Sequence, residues 1–149
     1  MANRPRGEPE PERTAGAATQ RTMLFPRREL TAHDAREFVA AALTQWGHRE
    51  RLDDIRLCTS ELVTNALLHG TSTDDAILVR IELHNAQVLV EVHDGGEGTP
   101  RQRQVQNGSD DGRGLFLVSA VADGWGVAAR EGPGKRVWAF FKVPVMSTC

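Results

Sequence analysis

Cysteine is scarce in this chain of 149 residues: Cys58 lies inside an apolar run and Cys149 is the last residue. That placement excludes a disulfide scaffold and a thiol metal cluster, and Cys58 reads as a small buried hydrophobe. Long apolar runs are missing too. Nothing approaches the ~20 residues of a spanning helix, and the opening MANRPRGEPEPERTAGAATQ holds no apolar stretch for a signal peptide or anchor. A cytoplasmic protein with no membrane partner is therefore expected. A charge excess of either sign is also lacking. With 18 Lys and Arg against 20 Asp and Glu, the net charge of −2 makes no field that would select nucleic acid as a direct partner. The common nucleotide signatures are absent as well. Gly134-Lys135-Arg136 lacks the hydroxyl and the upstream glycine of a Walker A loop, and Gly112-Arg113-Gly114 runs into Leu115, Phe116 and Leu117 rather than completing GxGxxG.

What is present suffices for one domain. Apolar residues make up 40% of the chain, and a chain of this length buries roughly two-thirds of its unfolded surface without staples. Residues 1–21 contain no Leu, Ile, Val or Phe, so ordering them gains too little burial, and a disordered tail is expected before a domain over 22–149. Met23-Leu24-Phe25 reads as a short edge strand stopped by Pro26. A helix is predicted over 31–46, with Thr31 as N-cap and Gly47 as its stop. A second over 52–69 carries Asp53 and Asp54 in its first turn and Gly70 at its end. Ile77, Val79 and Ile81 then alternate with Leu78, Arg80 and Glu82, and Val88 to Val92 returns after a turn at His84-Asn85-Ala86. Periodicity disappears from Gly95 to Gly112, a stretch long enough to suggest a functional loop. A third helix over 114–121 and strands at 125–129 and 137–143 complete the chain. The expected class is α+β, a two-layer sandwich with helices on one face of a mixed, mostly antiparallel sheet.

Three segments carry candidate chemistry. Glu61, Asn65 and His69 recur every four residues along one side of the second helix. A carboxylate and an amide oxygen there either coordinate a hard cation and orient a water, or form an ordinary polar helix face. Asp94-Gly95-Gly96-Glu97-Gly98 follows a strand, either as a flexible turn or as a place where a planar ligand approaches the main chain beside one carboxylate. Asp111-Gly112-Arg113-Gly114-Leu115 leads into a helix whose free N–H groups suit phosphate oxygens.

In this order the three segments resemble the ATP-binding domain of the GHKL, or Bergerat-fold, ATPases: gyrase-type ATPases, Hsp90, sensor histidine kinases and mismatch-repair proteins. Within that superfamily the sequence looks most like the bacterial anti-sigma-factor serine/threonine kinases. Glu61-Leu62-Val63-Thr64-Asn65-Ala66-Leu67-Leu68-His69-Gly70 looks like the first ATP-site motif, Asp94-Gly95-Gly96-Glu97-Gly98 like the DxGxG motif, and Gly112-Arg113-Gly114-Leu115 like the second glycine motif. Trp125-Gly126 and Gly134-Lys135-Arg136-Val137-Trp138-Ala139 resemble the closing strands, so the likeness spans 22–145.

The resemblance implies ATP and Mg²⁺ as cofactors. It makes Asn65 the ligand of the Mg²⁺ that bridges the phosphates and Glu61 the catalytic base. Asp94 then binds the adenine amino group, with Gly96 and Gly98 shaping the base pocket. Gly112, Arg113, Gly114 and Leu115 hold the phosphates, the 98–112 stretch is an ATP lid, and His69 is a supporting residue. It further implies phosphoryl transfer to an anti-anti-sigma protein, binding of a sigma factor, and a homodimer. A non-catalytic ATP-binding regulatory module and a nucleotide-free interaction domain are the rival readings. Arg136 departs from the family pattern, which often has Thr or Ser there, and stands either toward the phosphates or toward solvent on an edge strand.

Overall fold

The computed structural model describes residues 19–69, 76–94, 110–129 and 134–144. In chain order the elements are β1 (Gln20–Phe25), α1 (Thr31–Trp46), α2 (Leu52–His69), β2 (Ile77–His84), β3 (Gln87–Asp94), α3 (Asp110–Val121), β4 (Gly124–Ala129) and β5 (Lys135–Lys142). The strands form one sheet in the order β1-β2-β3-β5-β4, and all four pairings are antiparallel. The α+β two-layer expectation holds, and the parallel component it allowed for is absent from the described pairings.

Two hairpins set the register. Asn85, at φ 57°, takes the left-handed position of the two-residue turn between β2 and β3, a conformation that asparagine tolerates. It places His84 opposite Gln87 and Ile77 opposite Asp94. β1 is the edge strand predicted, but it begins at Gln20. Gln20 and Arg21 therefore pair with Glu82 and Ile81 instead of belonging to the tail. The remainder of the tail expected over 1–21, residues 1–18, lies outside the described residues.

Period-two alternation sends Ile77, Val79, Ile81, Val88, Val90, Val92, Val137, Ala139 and Phe141 to one face. There they form a single buried core with Val39, Leu43, Ile55, Leu62 and Val63 of the helices. Cys58 is in this core, and burial pushes its thiol up to about 12, as the small-hydrophobe reading requires. The opposite face carries Arg80, Glu82, Glu91, His93 and Arg136 together with the buried trio Leu89, Trp138 and Phe140.

The helix ends explain how the layers lock. Gly47 closes α1 at φ 82°: its N–H donates to Thr44 and that of His48 to Leu43, a Schellman arrangement. Thr31 is not the N-cap. Leu30 occupies that position, and the Thr31 hydroxyl instead donates to the Pro26 carbonyl, tying the β1–α1 loop. Arg51, just before α2, donates to Asp54, to Asp123 at 2.9 Å and to the carbonyls of Val121 and Lys142. Its guanidinium also lies 5.4 Å from the Phe141 ring centroid. One side chain thus joins the start of α2 to the α3–β4 turn and the end of β5. Among the described residues no helix is long and apolar enough to cross a membrane.

Candidate nucleotide site

α2 runs uninterrupted past Glu61 and Asn65 because Leu62, Val63 and Ala66 anchor it to the sheet. Asn65 stands at the margin of that apolar stripe and is 6% exposed, with its Oδ1 buried and no hydrogen-bond partner among the described residues. Leaving a buried acceptor unpaired costs roughly 1–3 kcal/mol, so an atom kept in that condition points to a ligand. Glu61, one turn earlier, is half-buried. The donor type fits a hard divalent cation, since an amide oxygen is an oxygen ligand. Among the described residues no group of three or more His, Cys, Asp or Glu side chains forms a cage. α2 also carries His69, whose side chain lies outside the described residues.

Asp94 closes β3 at the same end of the molecule and is 1% exposed. Two cations hold it. Arg27 lies 3.3 Å from one carboxylate oxygen and Lys135 lies 3.2 Å from the other. Arg27 also donates to the carbonyls of Ala66 at 2.8 Å and Leu67 at 3.2 Å. Those carbonyls are in the last turn of α2, where the helix itself supplies no partner. A residue of the β1–α1 loop therefore caps α2 and binds Asp94 at once, bringing Asp94 beside the turn that follows Asn65.

Neither cation was identified from the sequence. Lys135 meets Asp94 through the antiparallel β3–β5 register, on the helix-facing side of the sheet. Arg27 had no local signal, because it is 67 residues from its carboxylate partner. Arg136 falls on the other face. Its Nη1 lies 3.5 Å from Glu91, and β5 is an internal strand, so both expectations for Arg136 are replaced.

The glycine motif is also differently built. α3 begins at Asp110, four residues before the predicted start, so Gly112, Arg113, Gly114 and Leu115 lie within its first turns rather than ahead of them. α3 packs against α2, on which Glu61 and Asn65 stand. Gly96, Gly98 and most of the predicted lid lie outside the described residues, as do Gly70 and the segment 130–133. A separate cleft of about 480 Å³ opens on the α1 side of α2, between Arg27, Arg28, Ala32, Thr64, Leu67 and Leu68. It shares Arg27 and Leu67 with the Asp94 cluster.

Comparison with known proteins bears on the fold. Residues 25–141 match the model of the histidine kinase-like ATPase domain. Anti-sigma F factors from two Clostridium botulinum strains, Eklund 17B and Alaska E43, are each 27% identical over 124 residues, covering 76% of this chain and 87% of theirs. A crystal structure of the RsbU and RsbW domains of a Mycobacterium tuberculosis protein superposes with a TM-score of 0.63 at 20% identity. That match covers 83% of this chain and 31% of the longer one, and it supports the shared fold. With residues 25–141, most of its length, matched by the family model, the chain belongs to the histidine kinase-like ATPase domain family.

Proposed function

We propose that this protein is an Mg²⁺- and ATP-dependent serine/threonine protein kinase of the anti-sigma-factor type. The single observation behind this reading is the Asn65 Oδ1, buried without a hydrogen-bond partner among the described residues, one helical turn from Glu61. The likeness to anti-sigma F factors supports the choice among the activities of the family.

In this reading Asn65 supplies a protein oxygen to Mg²⁺, and the ion contributes positive charge against the phosphate oxygens. Glu61 takes the proton of an incoming serine hydroxyl as that oxygen bonds to the γ-phosphorus and ADP leaves. Asp94 accepts from the adenine amino group. Gly96 and Gly98 shape the base pocket, while the first turn of α3, which leads into Gly112, Arg113, Gly114 and Leu115, offers its free N–H groups to the phosphates. The acceptor is a serine of an anti-anti-sigma protein, and a sigma factor is the regulated partner. The protein acts in the cytoplasm and as a homodimer.

Calorimetric titration with ATP, with and without Mg²⁺, followed by incubation with γ-labelled ATP and an anti-anti-sigma protein from the same genome, tests this. Mg²⁺-dependent binding and labelling of the acceptor serine are expected, with Glu61→Ala retaining binding and losing transfer. Failure of the folded wild-type chain to bind ATP sinks the reading. Full transfer by Glu61→Ala removes the base assignment.

A further inference from the structure

Asp94 is one carboxylate between two cations, the part-buried Arg27 and the buried Lys135, so among these three described side chains positive charge is in excess by one. The two cations are not equivalent. Arg27 spends its donors on Asp94 and on the Ala66 and Leu67 carbonyls, and is structurally committed. Lys135 is 5% exposed and has three N–H donors, of which Asp94 takes one; among the described residues no other acceptor meets it. A buried ammonium with unused donors is costly, and an acceptor on a ligand removes that cost.

The positions of the two groups say what kind of acceptor. Asp94 and Lys135 are paired across β3 and β5, both on the helix-facing side of the sheet, with Oδ2 and Nζ 3.2 Å apart. This is an acceptor and a donor side by side, at a spacing that two neighbouring atoms on one edge of a heteroaromatic ring can meet together. Adenine offers that pattern twice: the N6 amino group donates, and N1 on one side and N7 on the other accept. We propose that Lys135 is a base-reading residue, donating to an adenine ring nitrogen next to the amino group held by Asp94. This rests on the proposed function, in which Asp94 receives that amino group. A hydrogen bond from a charged donor in a site shielded from water is stronger than one between neutral groups, so the contact separates adenine from analogues without the ring nitrogen.

The test compares Mg-ATP with Mg-1-deaza-ATP and Mg-7-deaza-ATP by calorimetry, on the wild-type chain and on Lys135→Met. The wild type is expected to bind one analogue about tenfold more weakly than ATP, and which analogue is weakened says whether N1 or N7 is read. Lys135→Met is expected to bind ATP and that same analogue equally. If Lys135→Met does not fold, Lys135→Leu makes the same comparison. Equal binding of all three nucleotides by the wild type overturns the proposal, as does discrimination that survives in the variant. A wild-type chain that binds no adenine nucleotide removes the proposed function and this inference with it, whereas ATP binding without discrimination removes this inference alone.

Discussion

Arg27 lies 3.3 Å from Asp94 and, through its other nitrogen, donates to the last turn of α2. The carboxylate at the end of β3 and the helix bearing Glu61 and Asn65 therefore share one support. Arg27→Ala leaves two α2 carbonyls without a side-chain donor and one Asp94 oxygen without its cation, while Lys135 still holds the other oxygen. A loss of about 2 kcal/mol in urea unfolding is expected, together with weaker ATP binding. Arg27→Lys should recover part of the stability, since an ammonium reaches one acceptor set but not both. Unchanged stability in Arg27→Ala would show that the bridge contributes nothing.

Asn65→Ala separates a ligand-binding role from a structural one. The substitution removes an unpaired buried acceptor and brings in a better helix former, by roughly 0.7 kcal/mol. The melting temperature should stay level or rise while Mg²⁺-dependent ATP binding disappears. A destabilised variant that retains binding would assign Asn65 to the scaffold.

Asp123 sets an acid limit on the clamp around Arg51. Burial works to raise its carboxyl, but the Lys142 backbone N–H and the Arg51 guanidinium outweigh burial and hold it below the usual carboxylate range. Arg51, in turn, is desolvated yet kept above its ordinary value by Asp123 and Asp54, so it stays charged throughout. A carboxylate whose folded pKa is depressed stabilises the fold above its unfolded pKa, near 3.9, and that contribution is lost as pH falls through the lower folded value. Both groups are partly exposed, so Asp123→Asn should cost only roughly 1 kcal/mol at neutral pH. The gap to wild type should be flat from about pH 5 upward and close below about pH 4. A gap that widens on acidification contradicts the assignment.

Gly124 has no room for a side chain. A Cβ there would lie 2.4 Å from Cε2 of Phe140, whose ring is stacked on Trp138 with centroids 6.2 Å apart. Gly124→Ala should lower stability by about 1–3 kcal/mol in chemical denaturation. Adding Phe140→Leu should make the alanine less costly than it is alone. Simple additivity of the two substitutions would mean that Phe140 is not what excludes the side chain.

Much of this protein is set by local chemistry that a linear reading captures. Helical spacing from Leu52 to His69, alternation from Ile77 to Val92, the stop at Gly47 and the turn at Asn85 each depend on residues within a few positions of one another, and α1, α2 and the β2–β3 hairpin lie where the sequence places them. The placement of Glu61 and Asn65 on one side of α2 follows from the same periodicity. Other features depend on the tertiary structure, because they pair residues far apart in the chain. The insertion of β5 between β3 and β4 sends Lys135 to Asp94 and Arg136 to Glu91, with opposite consequences for two adjacent cations. The Arg27 bridge spans 67 residues and the Arg51–Asp123 contact 72, distances over which composition and period carry no signal. Propensity and patterning choose the elements; the packing of the sheet under the helices decides which charges meet, because only there is a buried charge forced to find its partner.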